Sequence, residues 1–189
     1  TNAPKIPRAN FHAMTRLDQN RAQSQLAKKA HVDNVDVTDV IIWGNHSSTQ
    51  VPDFYHAKIK NLPVTEVIKD TNWLEKEFIP IIQKRGAAII AARGKSSAAS
   101  AAHAALEAFK SIITPTPAGC WYSSGVCSDN NPYHVEENLI FSFPCRTNVN
   151  GECEIVGGLP LNDFLHGRIK ETEKELIDER ELVSDKVKV

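Results

Sequence analysis

The sequence predicts an α+β fold in which mixed helices pack on an antiparallel sheet, and three observations carry that prediction. Residues 119–156 hold three runs of strand-forming residues, around Trp121, Phe141 and Ile155, separated by Asn-, Gly- and Pro-bearing turns. Short turns between consecutive strands make an antiparallel meander, because parallel neighbours need long crossovers. Residues 163–183 repeat Phe164, Leu165, Ile169, Leu176 and Ile177 at helical spacing on a charged background. The chain has 189 residues, 41% of them hydrophobic, enough for one substantial core.

Taken in order, residues 1–14 read as a linker and lead-in segment, because Pro4 and Pro7 hold the backbone out of helix. They show no charged-then-apolar pattern of a secretory signal. Residues 15–189 read as the domain. Residues 15–30 contain good helix formers, no Gly or Pro, and Lys28-Lys29 where the helix dipole favours cations. Only Leu17 and Leu26 are large and apolar there, so this helix is either solvated or buried through specific polar contacts.

Residues 35–43 alternate and then turn wholly apolar, as a single strand running into a core. The polar loop 44–50 follows it, at a strand end where chemistry is commonly placed. Residues 55–64 suggest a short hairpin. Residues 70–92 suggest a long helix bent at Pro80 and stopped before Gly94. Alanine-rich residues 96–113 form a further helix, with Ser96 or Ser97 as its N-cap and Pro115 beyond its end.

Composition excludes several functions. With 22 Lys+Arg against 23 Asp+Glu the formal net charge is -1, which gives no field to hold nucleic acid or an anionic membrane. The longest apolar run, 86–92, lies between Arg85 and Arg93, far short of the ~20 residues of a membrane span. Cys120, Cys127, Cys145 and Cys153 form no C-x-x-C pair and read as free thiols. The histidines have no ligand spacing, so no metal is expected. Arg93-Gly94-Lys95-Ser96 resembles the end of a phosphate loop, but Ile89 stands where the first glycine is required. Neither G-x-G-x-x-G nor G-x-S-x-G occurs.

What remains is Asp18 and Arg21, three apart on one face of the polar helix, together with His46 in the polar loop. The Asp-x-x-Arg pair alone reads more readily as a surface ion pair of little energetic weight. The setting separates the two readings, since the helix has little apolar surface and His46 follows the most apolar strand.

Leu17-Asp18-Gln19-Asn20-Arg21-Ala22 and Ile42-Trp43-Gly44-Asn45-His46-Ser47-Ser48-Thr49-Gln50 together resemble the lactate/malate dehydrogenase family, and within it the cytosolic malate type. Gln83-Lys84-Arg85-Gly86-Ala87-Ala88-Ile89-Ile90, Ser96-Ser97-Ala98-Ala99-Ser100, Phe141-Ser142-Phe143-Pro144 and Gly158-Leu159-Pro160-Leu161-Asn162-Asp163-Phe164 extend the likeness over essentially the whole chain.

The resemblance implies the C-terminal substrate domain, with the Rossmann domain that binds most of NAD absent from this chain. It implies interconversion of malate and oxaloacetate, a cytoplasmic homodimer, and no turnover by this chain alone. His46 becomes the proton-transferring group and Asp18 its orienting carboxylate; Arg21 binds the substrate carboxylate, as a planar guanidinium can. Ser97 is implied to face the nicotinamide and substrate, against its reading as a helix cap, and Arg16 to lie near the subunit contact. Two other readings stay open. One is a related 2-hydroxy acid dehydrogenase accepting broader or aromatic 2-oxo acids, since the loop that reads the substrate's far end belongs to the absent domain. The other is a non-catalytic binding or dimerisation module.

Overall fold

A short strand, Ile41–Trp43, separates two hydrophobic cores. Ile42 joins one core and Ile41 and Trp43 the other, so alternation along an extended backbone leaves all three side chains buried. The computed structural model describes residues 5–186. The first four residues of the expected lead-in and the last three of the expected domain lie outside the described residues.

Within the lead-in, a 3-10 turn at Arg8–Asn10 is followed by an isolated bridge from Ala13 to Gly125, with N–H to O distances of 2.8 and 2.9 Å. Arg8 pairs with Asp129 at 2.7 Å, so this segment lies on the sheet. Helix α1 (Arg16–Ala30) ends at His31, whose left-handed φ of 56° closes it.

The single strand expected over residues 35–43 is corrected to a 3-10 turn at Asn34–Asp36, β1 (Val37–Thr38) and β2 (Ile41–Trp43). The break is at Asp39, which adopts φ 60° while its carboxylate pairs with Lys58 at 2.9 Å. That turn moves the chain from one sheet to another. β1 pairs with β4 (Lys58–Ile59), whereas β2 pairs with β3 (Val51–Asp53). β4 and β5 (Leu62–Pro63) form the expected hairpin, turning through Lys60 and Asn61 at φ 50° and 67°.

After α2 (Val64–Val67), Asp70 caps α3 (Thr71–Trp73) by accepting from the Trp73 N–H at 3.0 Å. A π turn at Leu74–Phe78 joins it to α4 (Ile79–Gln83), and α5 (Arg85–Arg93) follows. Pro80 lacks an N–H and its ring displaces the carbonyl one turn back, so the wider turn just before it accommodates the bend. Helix α6 (Ala99–Ile113) starts after Ala98 with no side-chain cap. Ser96 and Ser97 therefore do not cap it, and the Ser97 hydroxyl meets Arg21 instead, at 3.2 Å.

Strands β6 (Tyr122–Cys127), β7 (Ile140–Thr147) and β8 (Cys153–Ile155) form the expected meander in consecutive order. Helix α7 (Asp163–Leu182) is capped by Asn162, which accepts from the Leu165 N–H at 2.9 Å, and lays Leu165 and Ile169 into the second core. All four cysteines are free. Among the described residues no helix is long and apolar enough to cross a membrane.

Gly44 ends β2 at φ 94°, bridged to Ser142 of β7 and pressed against Thr172 of α7. A Cβ there would overlap the Thr172 side chain in a backbone region that disfavours L-residues. Gly44→Ala is expected to destabilise the fold by at least about 2 kcal/mol, seen as a lower urea midpoint at unchanged slope.

Candidate active site

Helix α1 is buried through specific polar contacts. Gln19 braces it on two sides, donating to the Val40 carbonyl at 3.0 Å and accepting from the Ser123 N–H at 3.0 Å. Arg16 donates to Ser111 and Asn20 to Glu107, both at 2.5 Å, which ties α1 to α6. Thr15, just before the helix, shares a buried 2.8 Å hydrogen bond with Ser142 of β7. With so few large apolar side chains, these directional bonds fix which face of α1 looks inward.

That face presents Asp18, whose side chain is only 2% exposed. One carboxylate oxygen lies 2.8 Å from His46 Nε2, and the other accepts from Arg21 Nη1 at 3.0 Å. The second guanidinium nitrogen of Arg21 donates to Ser97 Oγ at 3.2 Å. The structure thus brings together all four residues singled out in the sequence: His46, Asp18, Arg21 and Ser97. The Arg21 side chain is 16% exposed and that of His46 is 52% exposed, so the buried acid supports two groups that face outward.

The electrostatics follow from that arrangement. The hydrogen bond and charge of Asp18 raise the His46 pKa above its ordinary 6.5, outweighing burial and the repulsion of Arg21. Burial pushes the Asp18 carboxyl up, but the hydrogen bonds and charges of His46 and Arg21 prevail and hold it below 3.8. The other ring nitrogen of His46 has no hydrogen-bond partner among the described residues and is free to exchange a proton with a ligand. A cavity of about 600 Å³ between α1, α5 and α6 is lined by Leu17, Arg21, Arg85 and His103 but by neither Asp18 nor His46. The guanidinium borders a cleft, while the imidazole stands on an open face. Among the described residues no cluster of acidic, thiol or imidazole side chains is suited to a metal.

Sequence reasoning missed what holds the His46 loop. Thr172 Oγ1 on α7 accepts from the Asn45 N–H at 2.9 Å and lies 2.8 Å from Thr49 Oγ1, which can accept its hydroxyl proton. Glu175 Oε2 accepts from Asn45 Nδ2 at 2.9 Å, from Thr49 Oγ1 at 2.6 Å, and from Ser47 Oγ. A signal was present. Thr172 and Glu173 fall at i+3 and i+4 from Ile169, on the inward stripe of α7, and both are buried.

Comparison with known proteins gives a consistent result. Residues 15–187 match the family model for the lactate/malate dehydrogenase alpha/beta C-terminal domain. A malate dehydrogenase of Protochlamydia amoebophila is 60% identical over 188 residues, covering 100% of this chain and 57% of that protein. The chloroplastic NADP malate dehydrogenase 1 of Sorghum bicolor is 54% identical over 97% of this chain and 43% of its own length. A crystal structure of Naegleria fowleri malate dehydrogenase superposes with a TM-score of 0.89 at 41% identity, over 98% of this chain and 56% of that one. Trichomonas vaginalis lactate dehydrogenase, solved with NADH and oxamate, gives 0.91 at 34% identity, over 97% and 56%. The chain spans about half the length of these relatives.

The two pKa shifts have opposite consequences for stability. The raised His46 value adds stability that is complete below 6.5 and fades as pH climbs through the raised value. The lowered Asp18 value adds stability present above 3.8 and lost as pH falls through the lowered one. Asp18→Asn is expected to bring the His46 pKa down to its ordinary value or below, followed by NMR of the imidazole protons. It should also destabilise the fold by roughly 1–3 kcal/mol at neutral pH, because Arg21 and His46 lose a charge-assisted hydrogen bond to the buried carboxylate.

Proposed function

The chain belongs to the lactate/malate dehydrogenase family, and we propose that it supplies the substrate side of a 2-hydroxy acid dehydrogenase. The reaction proposed is the interconversion of malate and oxaloacetate. The observation that carries the reading is the unbroken series His46, Asp18, Arg21 and Ser97, linked at 2.8, 3.0 and 3.2 Å.

Each residue has a role that its environment suits. In the reducing direction His46, as imidazolium, donates its proton to the ketone oxygen; in the oxidising direction the neutral ring accepts the hydroxyl proton. Asp18 stabilises the imidazolium and fixes the ring's tautomer, and its burial makes that interaction stronger than it would be in water. Arg21 receives the substrate carboxylate through a planar donor fork, and shares with His46 the buried Asp18 carboxylate. Ser97, held by Arg21, is positioned to contact substrate and nicotinamide.

The cofactor proposed is NAD, which when bound accepts or supplies the hydride. Ser97 is the residue of this chain proposed to contact it. No glycine-rich dinucleotide loop occurs in the sequence, so the rest of the nucleotide site would come from a Rossmann domain outside this chain. The group that reads the distal carboxylate of malate would come from there too. We further propose a homodimer in the cytoplasm. The malate reading is supported by the 60% identity to a malate dehydrogenase. The fit to a lactate dehydrogenase supports the broader reading, in which other 2-oxo acids are accepted.

Assays of the full-length protein test this. With NADH, oxaloacetate is expected to be turned over faster than pyruvate or an aromatic 2-oxo acid; the opposite ranking selects the broader reading. Chain 1–189 alone is expected to give no turnover. His46→Asn should lower turnover by about 10²–10⁴-fold at unchanged cofactor affinity. Arg21→Lys should chiefly raise the KM for the 2-oxo acid. Because the His46 pKa is raised, reduction should persist to a pH above 6.5 and oxidation should rise as pH climbs through the raised value. Wild-type turnover in the His46 variant would remove it as the proton carrier.

A further inference from the structure

His46 is placed by very little of its own. Its ring has one hydrogen-bond partner, Asp18, and half of the side chain is open to solvent. Loop residues 45–50 take no part in a sheet, so the direction in which the ring points is set by what fixes their side chains. Those side chains converge on α7. Asn45 and Ser47, the residues on either side of His46, both donate to Glu175 Oε2, and Thr49 donates to the same oxygen at 2.6 Å. Asn45 reaches one turn further to Glu179, at 3.0 Å. Glu175 has no ion-pair partner among the described residues. Three neutral donors of the loop therefore solvate its charge, and neither the carboxylate nor the loop can move without uncoupling from the other.

We infer that Glu175 is the positioning residue for His46, holding the loop so that the imidazole meets Asp18 in the geometry proton transfer requires. This rests on the reading of His46 as the proton-transferring group. Glu175 does not touch the ring or the substrate carboxylate, which is assigned to Arg21 on a different helix. Its loss should therefore misaim the proton carrier and leave substrate grip intact. The same three donors offset the burial of Glu175 and hold its pKa below 4.5, so it remains an anionic acceptor across the neutral range.

The test uses three variants of the full-length protein. Glu175→Ala is expected to lower kcat by about 10–100-fold with KM for the 2-oxo acid within about two-fold, the cost of a misplacement on the order of 1 Å. It should also bring the His46 pKa, read by NMR of the ring protons, down towards 6.5. Glu175→Gln keeps a side-chain carbonyl and should recover most of both losses. Glu173→Gln is the control for a merely structural role. Glu173 is a buried acid of α7 two residues before it, but it accepts from the Glu136 N–H and from Lys170, away from the loop. It should lower thermal stability and leave the His46 titration in place.

An unchanged His46 titration and kcat in Glu175→Ala, or equal shifts in Glu173→Gln, would overturn the inference. If the wild-type protein reduced no 2-oxo acid with NADH or NADPH, the dehydrogenase reading would fall. The titration would then still decide whether Glu175 positions the imidazole.

Discussion

A carboxylate removed from water must be compensated by partners, and the Asp18 side chain meets that requirement with the Arg21 guanidinium on one oxygen and the His46 ring on the other. The rest of the arrangement depends on this constraint. Because the acid is buried, it has to be reached from a loop by His46 and from its own helix by Arg21, and both groups must stop close to the surface. The result is a site whose charge is organised from below. Its upper side, with half of the His46 side chain, is open to solvent.

Burying such a group requires a helix that is itself held by polar contacts. An amphipathic helix seated on aliphatic side chains could rotate by a fraction of a turn at small cost, whereas α1 is fixed by paired bonds. Gln19 satisfies a backbone carbonyl before β2 and a backbone N–H of β6 with one amide, so a rotation would orphan both. Arg16 and Asn20 repeat that logic against α6. The sparse apolar content of α1 is thus part of how the site is built.

Much of this was legible in the sequence, and the rest was hidden for identifiable reasons. Helices α1 and α7, the β6–β8 meander and the hairpin at Lys60-Asn61 arise from local periodicity and turn chemistry, which a sequence displays directly. His46, Asp18 and Arg21 could be singled out because each broke a local expectation, a polar loop after an apolar strand or a helix without a greasy face. The break between β1 and β2 was not legible. A left-handed Asp39 depends on Lys58, a partner nineteen positions away that no local pattern announces. Ser97 has the composition of a cap, but Arg21 engages its hydroxyl across the fold. Glu175 was invisible because a glutamate on a charged helix looks like a solvated face until the loop opposite it is known.

The strand that separates the two cores has one more consequence. Ile41, Ile42 and Trp43 are shared walls, and opening either core would expose aromatic and aliphatic surface belonging to the other. Neither half can melt alone, so the domain should lose its structure in one cooperative step. The imidazole, three residues beyond that wall, would keep its alignment up to the transition and lose it all at once.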